Sequence, residues 1–594
     1  MRVGRQALQL SLALTVTSTA YLVTHGAGAV SARSLSVLTM AEAPGASPNF
    51  ILPFMGCNYD STNNTEYFQR LMFRPLYWVG LGTSERVQYP LSLANAPHFR
   101  NHGLTVDVTM KGWRFANGEV VDAESAKFYL DLYHADPTAN CAYQPGAGIP
   151  DELTNVRALG DQLELDFRQH HNSTILLYQY LSQITPLPAT WDHTTSGSIT
   201  GCAAGAYGGA ATDRACSRVL SYLTPLASDT SSFTSQFWRA GVDGPWRLAS
   251  FDASGNASFV ANSQYSGPQR PRVGTLREIA YSSATAEVNA LASGEVDLAF
   301  LGPTTLTSLN RLTSGNVNPS FRVVASPPWS INFATLNFAP NNTDAAVIDE
   351  LYVRQALQTT VDQPSLIADY FGGYGVPTVD PLPASTPSFM SPPVSPVYSF
   401  NPARAEQMLT EHGWTLQSGQ LTCHSPGVGP TNCGSGIVLG QTLQLRVVWS
   451  SGDPALTSIM SREVAQWSAL GIHVTSAQDT PGNLAADCHS GTGFDLCSWG
   501  GGWTFLPSLY PSGEGIFGTP GAVSNAHDRS LSVLISRSET STTALTAYAA
   551  YAARTLPVIY EPQPDQTVEV ASIIRSAVGL APNLLNAFTP EYYW

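Results

Sequence analysis

Charge is what this chain has least of. Asp, Glu, Lys and Arg together make up 12% of its 594 residues, against 43% hydrophobic and 10% aromatic. Order-promoting residues are spread throughout, which excludes disorder for the bulk of the chain. A basic excess is missing too. The formal net charge is −15, whereas a nucleic-acid binder needs a cationic face for phosphates, so no nucleic acid partner is expected. There is no G-x-S-x-G elbow, no H-E-x-x-H and no P-loop, so the commonest hydrolase, metalloprotease and nucleotide signatures are absent. The eight cysteines include no C-x-x-C knuckle. Beyond the first residues no stretch approaches the roughly 20 apolar residues that a bilayer span requires.

The first residues instead read as an export signal over residues 1–32. Arg2 and Arg5 give a positive start, Leu8 to Val23 an apolar core, and Ala27-Gly28-Ala29 and Val30-Ser31-Ala32 small-residue cleavage sites. A periplasmic or extracellular protein follows from this. Phe54-Met55-Gly56-Cys57 mimics a lipobox but lies too deep, so no lipobox cysteine follows the signal. Oxidising conditions suit the cysteines, which fall into neighbours Cys202 and Cys216, Cys423 and Cys433, and Cys488 and Cys497, with Cys57 and Cys141 left over. Connectivity stays open, since eight cysteines allow about 105 pairings. Zinc near Cys488, His489 and Cys497 is the competing reading.

The length predicts roughly two to four domains. Residues 34–56 start apolar and extended, and a helix is expected around Thr65 to Tyr77. Residues 151–170 read as paired strands with Leu163, Leu165 and Phe167 alternating inward. Thr195 to Ser235 reads as a disulfide-tied surface loop, and Val376 to Pro396 as a long proline-rich one. Asn401-Pro402 caps a helix with the stripe Ala405, Met408 and Leu409, ended at Gly413. Leu443, Leu445, Val447 and Trp449 alternate as a strand. Asp453-Pro454 then opens a helix with Leu456, Ile459, Met460 and Trp467 at helical spacing, and Ile472 and Val474 begin the next strand. That order is a βαβ unit, hence a parallel sheet within an α/β fold. Gly513 to Gly518 matches the letters of G-x-G-x-x-G, but no apolar strand leads in and Pro520 blocks a helix, so it reads as a glycine-rich loop. Adjacent histidines on a strand would point to opposite faces, a poor catalytic pair, so His170 and His171 read as surface or hinge-loop residues.

One stretch carries more. In Val106 to Tyr133 a strand, a turn at Asn117-Gly118 and an N-cap at Asp122 lead into a helix with Ala126, Tyr129, Leu130 and Tyr133 on one face. Its order of residue types resembles the signature of the extracellular solute-binding proteins of ABC transporters, family 5. Further blocks follow in family order: Gly244-Pro245-Trp246, Asn262 to Tyr265, Ala290 to Asp297, Leu336-Asn337-Phe338, Val353 to Leu357 with Asp362, Gly372-Gly373, Asn401 to Trp414, and Leu470-Gly471-Ile472. The resemblance implies a type II periplasmic-binding-protein fold: two α/β lobes, a hinged ligand cleft and an extra subdomain inserted in the first lobe. Lobe I would comprise residues 33–57, 191–337 and 566–594, the inserted subdomain 58–190, and lobe II 338–565.

The same resemblance places ligand contacts in Trp499-Gly500-Gly501-Gly502-Trp503, where glycines allow close approach and tryptophans can stack. Phe54, Met55 and Gly56, expected to end the first strand, are candidates for the opposite wall. Peptide binders of that family carry an Asp a few residues after the first Trp, pairing the peptide's amino terminus. Gly502 or its neighbour fills that position here, which argues against a buried carboxylate-ammonium anchor. The function implied is a non-enzymatic, monomeric receptor without cofactor or metal. It would deliver a small solute, oligopeptide first and oligosaccharide next, to ABC permease subunits. A receptor serving a partner other than a permease uses the same fold, and a secreted hydrolase with a dispersed carboxylate pair is the rival class.

Overall fold

The computed structural model describes residues 36–42, 47–81, 84–146, 148–306, 321–339, 341–491, 493–505, 509–518, 523–574 and 589–593. The expected export signal and most of Gly513 to Pro520's sequel therefore divide differently: residues 1–32 lie outside the described residues, while Gly513 to Gly518 lie within them. No described helix is long and apolar enough to cross a membrane.

Three sheets organise the chain. The first has seven strands in the order Phe321–Ser326, Gln566–Ala571, Leu298–Ala299, Val37–Ala41, Thr275–Ile279, Ala257–Ala261 and Trp246–Phe251. Val37–Ala41 runs parallel to both its neighbours, and the outer pairings are antiparallel. The second sheet runs His473–Asp479, Gln444–Ser450, Leu496–Ser498, Ser330–Leu336 and Trp503–Thr504, with Val558–Glu561 also paired to Ser330–Leu336. A third, antiparallel sheet is built wholly from residues 98–167.

Local sequence explains the pieces. Asp122 accepts the Ser125 backbone N–H at 3.0 Å in a reciprocal capping box, and helix Ala123–Ala135 buries Ala126, Tyr129, Leu130 and Tyr133. The Asn401 and Asp453 side chains accept first-turn backbone N–H groups of Pro402–Glu411 and Pro454–Ala469, without the reciprocal bond. Such a cap contributes about 1 kcal/mol. Pro454–Ala469 links the parallel strands Gln444–Ser450 and His473–Asp479, completing the βαβ unit. Paired strands Leu153–Leu159 and Gln162–Phe167 bury Leu163, Leu165 and Phe167 as the alternation requires. The chain has two lysines, and both are internal fasteners. Lys127 pairs with buried Asp131 at 2.6 Å, and Lys111 donates to the Tyr89 and Ser92 carbonyls.

Several expectations need correction. The chain passes from the first sheet to the second between Ser326 and Ser330, a strand's length before Leu336-Asn337-Phe338. Asn337 instead sits at the far end of that strand, its side-chain amide bonded to the Gly491 and Phe494 carbonyls at 2.9 and 2.8 Å. Within the expected surface loop Thr195 to Ser235 lies helix Ala210–Ser228, because Ala215, Val219, Leu220 and Leu223 recur at helical spacing and are buried. Gly513 to Gly518 contains a helical turn, Glu514–Phe517, with Ile516 and Phe517 buried. The first strand ends at Ala41, so Phe54 to Gly56 belong to the connection after it. His170 and His171 follow the strand rather than lying in it. His170 is exposed, whereas His171 is buried with Nε2 3.7 Å from Glu152.

All eight cysteines are paired: the sequence neighbours as Cys202–Cys216, Cys423–Cys433 and Cys488–Cys497, and the two left over as Cys57–Cys141. Among the described residues no group of His, Cys, Asp and Glu is placed to hold a metal ion.

Buried carboxyl groups come in neighbouring pairs: Glu42 with Glu278, Glu287 with Glu569, and Glu463 with Glu561. Neither oxygen of Glu278 or Glu463 has a hydrogen-bond partner among the described residues. Burial raises every one of them, Glu42 to about 8 and Glu287 and Glu569 to about 7. Desolvation also drives Glu463 and Glu561 upward, reinforced at Glu463 by the Glu561 charge and opposed at Glu561 by the Ser498 hydrogen bond. The folded state thus binds more protons than the unfolded chain, so stability falls as pH rises from the ordinary carboxyl value toward 8. Buried His171, lowered to about 4 by burial and then by His170, acts in the opposite sense below its ordinary value. Calorimetry should show a higher melting temperature at pH 5 than at pH 8. Glu463→Gln should raise the pH 8 value more than the pH 5 value, and a profile that climbs toward pH 8 contradicts this account.

Candidate functional site

The two sheets are joined by adjacent segments. Ser326 pairs with Gln566 on the first sheet and Asn332 with Glu561 on the second, so Pro327-Pro328-Trp329 and Pro562 to Asp565 run side by side. Asn332 Nδ2 donates to the Pro562 carbonyl at 3.0 Å and ties the two together. A pair of short connections of this kind is a hinge geometry.

On the second sheet, Leu496–Ser498 delivers Trp499 and the glycines. Trp499 is half-buried; its Nε1 donates to the Gly502 carbonyl at 2.9 Å and its ring meets Phe333 edge-on with centroids 5.5 Å apart. Gly500 and Gly502 have φ of +82° and +53°. A β-carbon at Gly502 would collide with the Ile331 carbonyl, and one at Gly500 would lie 2.7 Å from Leu456. The protein's own backbone and side chains occupy the space these glycines open. Gly501 is exposed, with only the Trp499 ring near it. Trp503 pairs with Ile331, is half-buried, and lays its ring against Gly515. Behind this segment, Ser498 Oγ donates to Glu561 Oε2 at 3.4 Å, so the Glu463–Glu561 pair lies directly beneath it.

The other candidates separate. Phe54 is 2% exposed, its ring held edge-on by Tyr129 and Tyr133, so it is a core residue of this face. Gly56 is half-buried beside the Ala139 carbonyl. Met55 lines a pocket, together with Asp60, Gln69, Arg70, Tyr129, Gln183 and Thr185, and with Cys141 of the Cys57–Cys141 disulfide at its border.

Sequence reasoning did not single out these polar pocket residues. Arg70 follows the turn Asn63–Gln69 in a helical stretch whose neighbours Phe68, Gln69, Leu71 and Met72 are buried. An arginine within such a run was the available signal. Burial pulls its guanidinium below the usual arginine value, Glu66 and Tyr129 pulling back and Arg74 adding to the fall. Its side chain is partly exposed, and the Glu66 carboxylate lies within charge range of it. Glu463 was similarly legible: it continues the stripe of Leu456, Ile459 and Met460 on a buried helix face. Asp495, nearest acid to the tryptophans in sequence, is committed elsewhere, fully buried and bound to Arg446.

Two α/β sheets joined by twin strands, with a further subdomain on the first, make the two-lobed fold of type II periplasmic-binding architecture. AppA of Bacillus subtilis, solved with a nonapeptide, shares the fold with a TM-score of 0.61 at 17% identity, over 94% of this chain and 98% of that one. NikA of Brucella suis, solved with Fe(III)-EDTA, matches with a TM-score of 0.65 at 16% identity, over 94% and 99%. In sequence, a Brucella ovis protein named as an ABC transporter peptide-binding protein is 24% identical over 176 residues, 30% of this chain and 31% of that one. The nickel-binding periplasmic protein of Escherichia coli K12 is 29% identical over 178 residues, 30% and 32%. These alignments span about a third of the relatives' length. Residues 92–514 match the family model described as bacterial extracellular solute-binding proteins, family 5 Middle. The chain belongs to that family.

The glycines give a direct test of what the tryptophan segment demands. Gly502→Ala should destabilise the fold by roughly 1–3 kcal/mol from left-handed backbone strain alone, with the Ile331 clash added. Gly501→Ala should stay within about 0.5 kcal/mol. Urea unfolding of both variants checks this, and equal midpoints would show that Gly502 is not held as described.

Proposed function

We propose that this protein captures a solute between its two lobes and delivers it to the permease subunits of an ABC importer, acting as an exported monomer without catalysis of its own. The twin crossing between the sheets supports this reading most directly, because lobes joined in that way can close on a ligand. An oligopeptide is the first substrate we put forward. The family membership, the name of the Brucella relative and the nonapeptide held by AppA favour it. A small solute of another kind, an oligosaccharide or a metal chelate, is the second, favoured by the missing acid among Gly500, Gly501 and Gly502 and by the ligand of NikA. Trp499 and Trp503 are the residues proposed to stack on the ligand, and Met55, which lines a pocket of the first lobe, is proposed as a further contact.

Native mass spectrometry of freshly purified protein should reveal a co-purifying solute. A ladder of peptide masses supports the first substrate, and hexose spacing removes it. Trp499→Ala and Trp503→Ala should each weaken binding of that solute about tenfold, roughly 1.4 kcal/mol, with melting temperatures preserved. Unchanged affinity in both would exclude the segment from the site.

A further inference from the structure

The lobe crossing has a cavity on the side away from the tryptophans. Successive residues of a strand face opposite ways. Ile331 pairs with Trp503 and Phe333 meets Trp499, so Ser330 faces the other side. There Ser330, at the end of one connection, and Gln563, within the other, meet the proline-rich loop of residues 376–394 around a cavity of about 180 Å³. The loop is fastened at three places. Val376 pairs with Gln563 in a short antiparallel ladder. Gln363 exchanges two hydrogen bonds with the Thr378 backbone, at 2.8 and 2.9 Å. Ser385 Oγ donates to the Pro328 carbonyl at 3.0 Å, which ties the loop to the crossing. Pro377, Pro383, Pro392 and Pro393 stiffen the walls and offer no backbone donor.

What this cavity offers is mainly acceptors. Asp380 is the single charged residue among those described around it, and it is 7% exposed. Its Oδ1 accepts the Leu382 N–H at 2.7 Å, and no cation among the described residues pairs with the carboxylate. Gln563 is 8% exposed. Its Nε2 donates to the Pro564 carbonyl at 3.1 Å, while its Oε1 is buried with no donor among the described residues. Thr386 Oγ1 likewise has no partner among them. One negative charge, a spare amide oxygen and apolar proline walls complement a protonated amine with a small apolar body. Burial raises Asp380 to about 6, so its carboxylate is still ionised slightly above neutral pH, where an alkylamine is protonated.

We infer that the cavity behind the lobe crossing is a binding site for a small primary or secondary ammonium ion, separate from the tryptophan segment. Asp380 pairs with the charge, Gln563 Oε1 accepts one N–H, and the prolines enclose the alkyl part. This goes beyond the solute-receptor reading and does not depend on it. A buried carboxylate is stabilised when a cation joins it, because the desolvated charge then has a partner. Since Ser330 and Gln563 belong to the two connections between the lobes, an occupant held between them and the loop braces the crossing itself.

The test is calorimetric titration of the full-length protein slightly above neutral pH and at constant ionic strength. The probes are isopropylammonium, pyrrolidinium and ethanolammonium chlorides, each set against a neutral alcohol of similar shape: isopropanol, cyclopentanol and ethylene glycol. We expect at least one ammonium ion to bind, and its alcohol to bind at least tenfold more weakly. In Asp380→Asn that difference should shrink below twofold, with circular dichroism reporting the folded state of the variant. Trp503→Ala should bind the ammonium ion as wild type does. The inference is overturned if no ammonium ion binds, if ion and alcohol bind wild type equally, or if Asp380→Asn keeps the full difference. A tenfold loss in Trp503→Ala would place the amine at the tryptophan segment and overturn the separate site. Equality of ion and alcohol in the wild-type protein decides the matter even where a variant fails to fold. None of these outcomes bears on the solute proposed to lie against Trp499 and Trp503, which is identified by mass spectrometry.

Discussion

Everything in the second lobe hangs from the pairing of Asn332 with Glu561. The Ser330–Leu336 strand is contributed by the chain as it leaves the first sheet, and Val558–Glu561 by the chain as it returns. Because these two strands are neighbours, the two short connections between the lobes run side by side, tied by the Asn332 amide on the Pro562 carbonyl. The prolines around them remove backbone donors and fix φ, so the connections bend only at a few bonds. Both candidate ligand elements are referenced to this crossing. Trp503 pairs with Ile331 inside it, and Trp499 packs on Phe333. A solute held there would feel the relative orientation of the lobes through residues adjacent in sequence to the crossing.

Legibility in the sequence followed the range of the interactions involved. Helices with local signals were readable: Asp122, Asn401 and Asp453 each carry an acceptor side chain at the right offset, and the structure uses all three as caps. The βαβ unit was readable from periodicity for the same reason. The Ala210–Ser228 helix was obscured because alanine, serine and threonine around Cys202 and Cys216 look like loop composition, and burial supplies what propensity lacks. The lobe boundary expected between residues 337 and 338 falls past the crossing, because only pairing across some 230 residues of chain fixes where the chain changes sheets. Met55 could be pointed to, whereas Phe54 beside it turned into the core. Which of two neighbouring side chains faces a cavity is a tertiary fact. The residues that line the pocket with Met55 come from positions as distant as Gln183 and could not be assembled from spacing.

The low charge content and the buried carboxyl pairs belong together. With few cations in the chain, acids such as Glu278 and Glu463 are enclosed without a counter-charge, and burial raises both well above the ordinary carboxyl value. Where a cation does meet a buried acid, as at Lys127–Asp131 or Arg74–Glu591, the contact is short and internal. The Glu463–Glu561 pair is the one of these that reaches a candidate ligand element, through Ser498. Its proton count and the posture of the Trp499 segment are therefore linked by one hydrogen bond.

The two fastener lysines have a practical corollary. Lys127 is 5% exposed and its ammonium is enclosed by Asp131 and two carbonyls, and Lys111 is capped by the Tyr89 and Ser92 carbonyls. With no other ε-amine in the chain, amine-reactive dyes and aldehyde or ester cross-linkers find almost nothing to attach to except an α-amino terminus. Surface immobilisation by that route presents the molecule in one orientation. Digestion for mass mapping must likewise cut at arginine, which leaves the long arginine-free stretch between Arg354 and Arg404 as a single proline-rich peptide.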